Sequence, residues 1–262
     1  MKSKLYNKLD LDFLSSIKSD SVSLVLTDPP YAISKKTGMQ KYKEHLEKGG
    51  EVNAKFGKQF ARATDFGDWD KDYTTDHLKA AIDEFYRILK PGGSCIIWYD
   101  LWKLETLRNM LDRFSKHRMI EWIKTNPQPI NQKATYLSNA REIAISCVKG
   151  NTATFNSIYD NGVYSFPLES KNRIHPTQKS FVLFQELILK HSNEKDIVVD
   201  PYSGSATTYV ACVMNRRTCL SAEIDKTYYE KSLERISNAE TKAAKLFKKE
   251  APLRQLDKIL NF

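Results

Sequence analysis

The chain has 262 residues, of which 41% are hydrophobic, and this suits one α/β domain with a substantial core plus insertions. No apolar run approaches the ~20 residues of a membrane span. No secretory signal opens the sequence, so we expect a cytoplasmic protein with no membrane partner. The formal net charge of +9 is concentrated in two segments. Residues 32–64 hold eight Lys or Arg against three acids, and residues 241–262 hold six against two, which favours a polyanionic partner.

The predicted elements alternate between short apolar strands and helices, and no internal repeat interrupts them. The predicted strands are Leu5–Asn7, Ser23–Thr27, Ser94–Tyr99, Met119–Ile123, Glu142–Val148, Ile197–Asp200 and Thr218–Ala222. The predicted helices are Asp10–Lys18, Thr75–Leu89, Leu101–Phe114, Phe181–His191, Thr207–Met214 and Lys226–Phe247. Pro91-Gly92-Gly93 is predicted to stop the second helix and to turn the chain into the next strand.

The strand Ser23–Thr27 runs into Asp28-Pro29-Pro30-Tyr31. The carboxyl end of such a strand is where open α/β sheets bind their ligands. The prolines lack N–H groups, so the carbonyls of Asp28 and Pro29 have no local donors within the turn. A carboxylate, a carbonyl and a ring can hold a flat heterocycle that carries an amino group, because the oxygens accept from its NH2 and the ring stacks on its face. The alternative is an ordinary turn with a surface tyrosine.

The strand Ile197–Asp200 runs into a loop of small residues and then into the helix that begins at Thr207. Small residues let a ligand approach the backbone closely. The loop is not a phosphate-binding P-loop, because no Gly-Lys-Ser/Thr follows it. The next predicted strand, Thr218–Ala222, ends in Glu223, and an acid in that position typically accepts from a pair of ribose hydroxyls. The spacing therefore predicts a nucleoside ligand without phosphates.

Four cysteines are present, Cys95, Cys147, Cys212 and Cys219, and they form no metal-type pair spacing. We interpret them as buried reduced thiols. No Pro-Cys pair occurs, which argues against the enzymes that methylate cytosine at C5 through a thiolate.

Together these motifs resemble the S-adenosylmethionine-dependent amino-methyltransferases of DNA. Asp28–Tyr31 resembles their catalytic motif, and Asp200–Thr208 resembles their cofactor loop, usually written D-P-F-x-G-S-G-T-T. Further matches are His175–Lys179, Leu89–Gly93 and Trp122–Pro127. The catalytic motif precedes the cofactor loop, which is the order of the permuted β group.

The resemblance implies a doubly wound, mostly parallel, seven-stranded Rossmann-like sheet with circularly permuted motif order. It implies S-adenosyl-L-methionine as the cofactor and DNA as the partner, with neither a metal nor a covalent intermediate. The residues that it assigns to catalysis are Asp28, Pro29, Pro30 and Tyr31. The residues that it assigns to cofactor binding are Asp28, Thr177, Lys179, Asp200, Ser203, Gly204, Ser205, Thr207, Thr208 and Glu223, with Asp225 as the alternative to Glu223 at the ribose.

Residues 1–262 are interpreted as a single methyltransferase domain with three segments of note. Residues 32–70 are rich in Lys and Gly, are poorly periodic and directly follow Asp28–Tyr31, so we expect them to lie near the target base or DNA. The resemblance places target recognition in residues 126–174, and residues 241–262 form a basic tail. The candidate DNA-facing residues of the second segment are Lys133, Tyr136, Asn139 and Arg141, although an ordinary β-hairpin connection would look the same. A homodimer is expected because members of the β group often pair, and a cognate restriction endonuclease is a further candidate partner.

Two positions depart from the family pattern, and two others are assigned local roles. Ala206 stands in the loop where Gly is usual, and Leu9, with Asp10 beside it, stands where the family often has Asp.

Thr177 is predicted to cap the following helix. His175 is predicted to be a structural hydrogen-bonding residue rather than a catalyst.

The sequence thus predicts a DNA methyltransferase that acts on adenine N6 of a flipped-out base. Asp as the first residue of the catalytic motif favours adenine, because enzymes that methylate cytosine N4 more often carry Ser there. N4-cytosine methylation is the nearest alternative. RNA or protein-glutamine methylation is less favoured, because those relatives prefer Asn there and place the cofactor loop first. An alternative of another class is a catalytically silent DNA-binding module that keeps the fold.

Overall fold

The structure, a computed structural model, describes residues 2–30, 73–127, 137–169, 173–175 and 177–260, with side chains as far as residue 248. Backbone contacts divide the chain into two compact units. One unit comprises Met1–Pro29 with Ala80–Phe262 and contains the sheet, and the other comprises Pro30–Lys79. No helix within the described ranges is long and apolar enough to cross a membrane. The single-domain interpretation and the boundaries of its insertions stay predictions.

One sheet organises the described part of the chain. Its eight strands are β1 (Lys4–Tyr6), β2 (Val22–Thr27), β3 (Leu89–Tyr99), β4 (Ser115–Lys124), β5 (Arg141–Val148), β6 (Val163–Phe166), β7 (Ile197–Asp200) and β8 (Thr218–Ala222). Their spatial order is β1-β8-β7-β2-β3-β5-β4-β6. Strand β5 is antiparallel to both of its neighbours, and every other neighbouring pair is parallel. The predicted α/β class with a mostly parallel sheet is confirmed.

The order of the strands shows how the two ends of the chain complete one sheet. The C-terminal strands β7 and β8 lie between the N-terminal strands β1 and β2. Because β8, β7, β2 and β3 are parallel, their carboxyl ends meet at the same edge of the sheet. The antiparallel strand β5 brings its amino end to that edge.

Helices follow several of these strands and cover the sheet. They are α1 (Asp10–Ser15), α2 (Thr75–Ile88), α3 (Leu104–Met110), α4 (Phe181–His191), α5 (Thr207–Met214) and α6 (Lys226–Leu260), with a 3₁₀ turn at Leu101–Lys103. Helix α5 packs against both α4 and α6. All six residues of β2 are buried, as its apolar run predicts for a central strand. In the core, the Trp98 ring stacks with Phe184 at 6.2 Å and meets the Trp122 ring edge-on at 6.4 Å.

The eighth strand, β6, is a difference from the seven strands that were predicted. It pairs in parallel with β4, from Glu121 opposite Val163 to Lys124 opposite Phe166. A four-residue segment is too short to show a clear alternation of apolar and polar residues, so periodicity did not identify it. It lies inside residues 126–174, the candidate target-recognition segment.

The Pro-Gly-Gly segment is a second difference, because it lies within β3 instead of forming a turn before it. Helix α2 ends at Ile88, and β3 begins at the next residue. The pairing of β2 with β3 shifts between Val22 and Leu24, which marks an irregularity in the ladder. Gly92 has a φ of +85° there, and its N–H donates to the carbonyl of Lys149 at 2.8 Å. Glycine supplies the left-handed backbone that this irregularity requires.

Two helix boundaries differ clearly from the prediction. The predicted helix Leu101–Phe114 is a 3₁₀ turn followed by α3, which ends at Met110, and α6 continues to Leu260 instead of ending at Phe247. The four cysteines are free and buried, as predicted.

Candidate active site

Three acidic residues follow neighbouring strands at the edge where the carboxyl ends of the strands meet. Asp28 comes after β2, Asp200 ends β7, and Glu223 comes after β8. The strands are adjacent in the order β8-β7-β2. The motifs that the sequence separates by about 170 residues are therefore neighbours in the fold.

Asp200 is a buried carboxylate held by neutral donors. The Thr27 hydroxyl donates to its Oδ1 at 2.8 Å, the Thr208 hydroxyl donates to its Oδ2 at 2.6 Å, and the Tyr202 N–H donates to Oδ1 at 3.2 Å. Burial raises the pKa of Asp200 to about 6, although these hydrogen bonds oppose the rise, and the nearby charge of Asp28 adds to it. Thr27 links the ends of β2 and β7, a role that the sequence analysis missed.

Glu223 is also buried, and backbone donors bind both of its oxygens. The N–H of Gly204 donates to Oε2 at 2.7 Å, and the N–H of Asp225 donates to Oε1 at 2.9 Å. Burial raises the pKa of Glu223 to about 7, with a further contribution from the charge of Asp225. The Asp225 carboxylate instead accepts from the N–H groups of Thr227 and Tyr228, at 2.7 and 3.0 Å, and so caps the start of α6.

The loop between β7 and α5 is tightly bent. Gly204 has a φ of +51°, and Ala206 has a φ of +60°, so both are left-handed. Gly, which the family usually has at position 206, adopts this conformation without strain. Ala206 adopts it at a steric cost of roughly 1–2 kcal/mol. The Ser203 N–H donates to the carbonyl of Ala222 at 2.9 Å. The buried Ser203 hydroxyl has no hydrogen-bond partner within the described part of the chain.

Helix α6 holds this loop from the outside through two residues that the sequence analysis did not select. The Ser232 hydroxyl donates to the carbonyl of Gly204 at 2.9 Å. The Arg235 guanidinium donates to the carbonyl of Ser205 at 2.8 Å and to the Thr207 hydroxyl at 3.0 Å. Ser232 and Arg235 are three residues apart and therefore share one face of α6. The sequence contains this pair, but its role can be recognised only when α6 is known to lie beside the loop.

Thr207 and Thr208 begin α5, as predicted, and both are buried. The side chain of Ser205 is also buried, and its hydroxyl lies 3.1 Å from the Thr207 hydroxyl. These hydroxyls stabilise the loop, and the Thr208 hydroxyl stabilises the Asp200 carboxylate.

Lys179 lies at the turn that follows β2, in contact with two carboxylates. Its ammonium is 2.8 Å from Oδ2 of Asp28 and 2.5 Å from Oε2 of Glu142, the second residue of β5. The other oxygen of Glu142, Oε1, is 2.6 Å from the ammonium of Lys124, which ends β4. Burial alone would raise the pKa of Glu142, but the charges of Lys179 and Lys124 outweigh it and hold that pKa below its ordinary value.

The segment before α4 is built differently from the prediction. Helix α4 begins at Phe181, and Thr177 does not cap it. The Phe181 N–H is bound instead by the carboxylate of Glu169, at 2.9 Å, because the chain after β6 brings this acid to the helix start. Thr177 donates its N–H to Nδ1 of His175 at 3.3 Å.

His175 makes contacts that fit the predicted structural role. Its ring meets the Tyr228 ring edge-on at 4.3 Å. Burial lowers the pKa of His175 to about 4, and the charge of Lys179 adds to this effect. The ring is therefore neutral near pH 7, which its acceptance of the Thr177 N–H also requires.

The two residues at the Leu9–Asp10 departure differ in their surroundings. Leu9 is about half exposed, at 49%, whereas Asp10 is buried at the start of α1. The Tyr202 hydroxyl, in the loop between β7 and α5, donates to Oδ2 of Asp10. Asp10 therefore contacts the loop.

The remaining predicted residues are only partly described. Pro29 is buried and Pro30 is half-buried. Tyr31, residues 32–70, Lys133 and Tyr136 lie outside the described residues. Asn139 and Arg141 are described, Arg141 is exposed, and its guanidinium is 3.2 Å from the Glu121 carboxylate.

Comparison with known proteins gives agreement at the levels of family, sequence and fold. The family whose model is described as DNA methylase, of the N6/N4 type, matches residues 22–234. The type II methyltransferase M2.DpnII of Streptococcus pneumoniae is 27% identical over 246 residues, which cover 86% of this chain and 85% of that protein.

Two solved structures share the fold. The complex of M1.HpyAVI with SAM aligns over 90% of this chain and 99% of its own, with a TM-score of 0.63 and 23% identity. The PvuII DNA methyltransferase, titled cytosine-N4-specific, aligns over 93% of each chain with a TM-score of 0.66 and 18% identity. At these identities the likeness establishes the fold alone.

Proposed function

The chain belongs to the S-adenosylmethionine-dependent DNA amino-methyltransferases of the β group, and from that premise we propose that it methylates adenine N6 in DNA. The observation that carries the proposal is the adjacency of Asp28 to the cofactor loop across β2 and β7. The proposal places the target amine against Asp28 and the methyl donor against the loop.

The residues at the carboxyl edge fit S-adenosylmethionine as the methyl donor. The ligand carries a sulfonium and an ammonium, and Asp28, Asp200 and Glu223 supply carboxylates within one site. Burial raises the pKa of both Asp200 and Glu223, and a bound cation would relieve the cost of their ionisation. The Ser203 hydroxyl, buried without a partner in the described ranges, is an available donor and acceptor for a bound molecule.

Within this site we assign roles to the cofactor-binding residues. Glu223 would accept from the ribose hydroxyls with the lone pairs that its two backbone donors leave. Asp225 is a weaker candidate because its carboxylate caps α6. Asp200 and the loop from Ser203 to Ser205 would face the methionine part. We assign Lys179 to the position beside Asp28, whose carboxylate its ammonium contacts. We assign Thr177 to the rim of the cleft, where it is exposed.

Asp28 and Pro29 perform the chemistry in this proposal by accepting hydrogen bonds. The lone pair of an aromatic amine is delocalised into its ring, so the amine is a poor nucleophile until its nitrogen becomes pyramidal. Two acceptors at ~2.9 Å from that nitrogen would favour this geometry and the positive charge that develops on it. When bound, S-adenosylmethionine supplies the methyl group and the positive charge that makes it electrophilic. Tyr31 would stack on the flipped-out base.

Cytosine N4 is the second candidate substrate, since its exocyclic amine presents the same chemistry. Asp28 as the first residue of the catalytic motif favours adenine in our proposal. A homodimer and a cognate restriction endonuclease remain predictions from the family resemblance.

The decisive experiment is transfer of labelled methyl from S-adenosylmethionine to unmethylated genomic DNA, with nucleoside analysis of the product. We expect N6-methyladenine. N4-methylcytosine would keep the mechanism and overturn the substrate. Cofactor binding is measured in parallel by calorimetry. A silent DNA-binding module would show neither cofactor binding nor transfer, which would overturn the proposal.

A further inference from the structure

Four charged side chains form a continuous row across the carboxyl edge of the sheet. In order they are Lys124, Glu142, Lys179 and Asp28, and each ammonium lies within 2.5–2.8 Å of its neighbouring carboxylates. The two lysines are 11% and 7% exposed, so water screens these contacts poorly. Charges alternate along the row, which is therefore neutral as a whole.

The row crosses β3, the strand between β2 and β5. The ammonium of Lys179 lies 5.6 Å from the centre of the buried Trp98 ring of β3, and that of Lys124 lies 5.4 Å from the centre of the Trp122 ring of β4. Indole faces attract cations, so each ring helps to hold the ammonium group that lies over it. Glu142 lies opposite Trp122 in the pairing of β4 with β5, which places its carboxylate between the two lysines.

A lysine beside Asp28 has two opposing effects on the reaction proposed above. It holds the carboxylate in place through an ion pair at 2.8 Å. It also places a positive charge next to the nitrogen that becomes positive during methyl transfer, which disfavours the transition state. Glu142 shares the ammonium of Lys179 and so offsets this second effect.

We propose that Glu142 is a positioning residue for methyl transfer, which holds Lys179 between two carboxylates and balances its charge beside Asp28. Lys124 holds Glu142 from the other side, and neutrality of the row is the property that the reaction needs. This inference rests on the proposed function, because it assigns Asp28 to the target amine.

Charge-changing substitutions that keep side-chain size test this inference. Glu142→Gln gives the row a net charge of +1 and should lower kcat roughly ten- to hundredfold. Cofactor affinity and the KM for DNA should stay within about threefold. The double variant Lys124→Met with Glu142→Gln restores neutrality, and it should recover part of the lost kcat, because the net charge returns to zero while Glu142 no longer holds Lys179. Glu84→Gln is the matched control. Glu84 pairs with Arg87 near the end of α2, and α2 leads into the amino end of β3, away from the carboxyl edge of the sheet.

The outcomes separate this inference from the proposed function. Absence of methyl transfer by the unmodified protein would defeat the proposed function before any variant is made. A normal kcat for Glu142→Gln in an active protein would overturn the positioning role. A double variant that is no faster than Glu142→Gln, with cofactor affinity reduced in parallel, would mean that the row only stabilises the fold. Thermal unfolding of each variant identifies one that fails to fold, and Glu142→Asp, which keeps the charge, should then retain more activity than Glu142→Gln.

Discussion

Asp28 is a hydrogen-bond acceptor whose carboxylate lies beside the ammonium group of Lys179. Asp28→Asn keeps the shape of the side chain, removes its charge and turns one acceptor into a donor. We expect kcat to fall roughly 10²–10³-fold. Cofactor affinity should change only a few fold, because the carboxylates of Asp200 and Glu223 remain for the methyl donor. Asp20→Asn, which removes a pair with Lys149 before β2, should leave activity unchanged. Survival of activity in Asp28→Asn would remove Asp28 from the catalytic motif.

The two buried acids that we assign to the cofactor predict a dependence of its binding on pH. The folded-state pKa values of Asp200 and Glu223 are raised to about 6 and about 7. Protonation of these two groups stabilises the folded state, and this stabilisation is lost as pH rises through those values. A cationic ligand lowers both pKa values, so its binding releases protons. Affinity for S-adenosylmethionine should therefore increase from about pH 5.5 to about pH 8.

Calorimetry in two buffers of different ionisation enthalpy measures that proton release. S-adenosylhomocysteine, which lacks the sulfonium charge, is the matched ligand and should release fewer protons. Heats that are identical in the two buffers at about pH 6.5 would contradict the assignment of these carboxylates to the cofactor.

At the scale of elements, α6 acts as a clamp on the loop between β7 and α5. Arg235→Ala removes the donors to the carbonyl of Ser205 and to the Thr207 hydroxyl. A partly buried carbonyl without a donor costs about 1–3 kcal/mol. We expect the free energy of unfolding to fall by that amount and cofactor affinity to fall about tenfold.

The control for the clamp is Glu234→Ala, which changes an exposed neighbour on the same helix. Chemical unfolding and calorimetry report the two quantities. If Arg235→Ala lowered stability but left cofactor affinity unchanged, the loop would keep its binding geometry without the clamp.

At the scale of the whole molecule, the excess positive charge predicts salt-dependent binding of DNA. Lys242, Lys245 and Lys248 are exposed on α6, whereas Ala243 between them is buried, so substitution is preferable to truncation. Changing the three lysines to Gln should weaken DNA binding and reduce the slope of log K against log salt by about 0.9 for each lost phosphate contact. The measurement is fluorescence anisotropy across a salt series.

A triple variant at the opposite edge of the sheet controls for net charge. Lys18, Lys116 and Lys195 are exposed near the amino ends of β2, β4 and β7. Their change to Gln should leave the slope nearly unaltered. Equal slopes for the two triple variants would show that α6 does not contact phosphates.

Sequence reasoning worked best where a local pattern has only one physical explanation. The strands β7 and β8 and the helices α4 and α5 have the predicted boundaries, because apolar runs end there at acids, small residues or capping positions. Periodicity could not identify β6, and it extended the helix after β3 too far. The bulge at Gly92 depends on pairing with β2 and with Lys149, which are distant in sequence.

The sequence by itself determined the family, the cofactor class and the motif order, because these depend on which residues follow which strand. Only the tertiary structure decided how the site is charged and held. Glu142 and Lys179 are 37 residues apart, and Arg235 lies 28 residues beyond Thr207, so no local pattern links them. The sheet order places their side chains in contact, and burial then makes each pairing obligatory, because an unpaired charge is costly away from water.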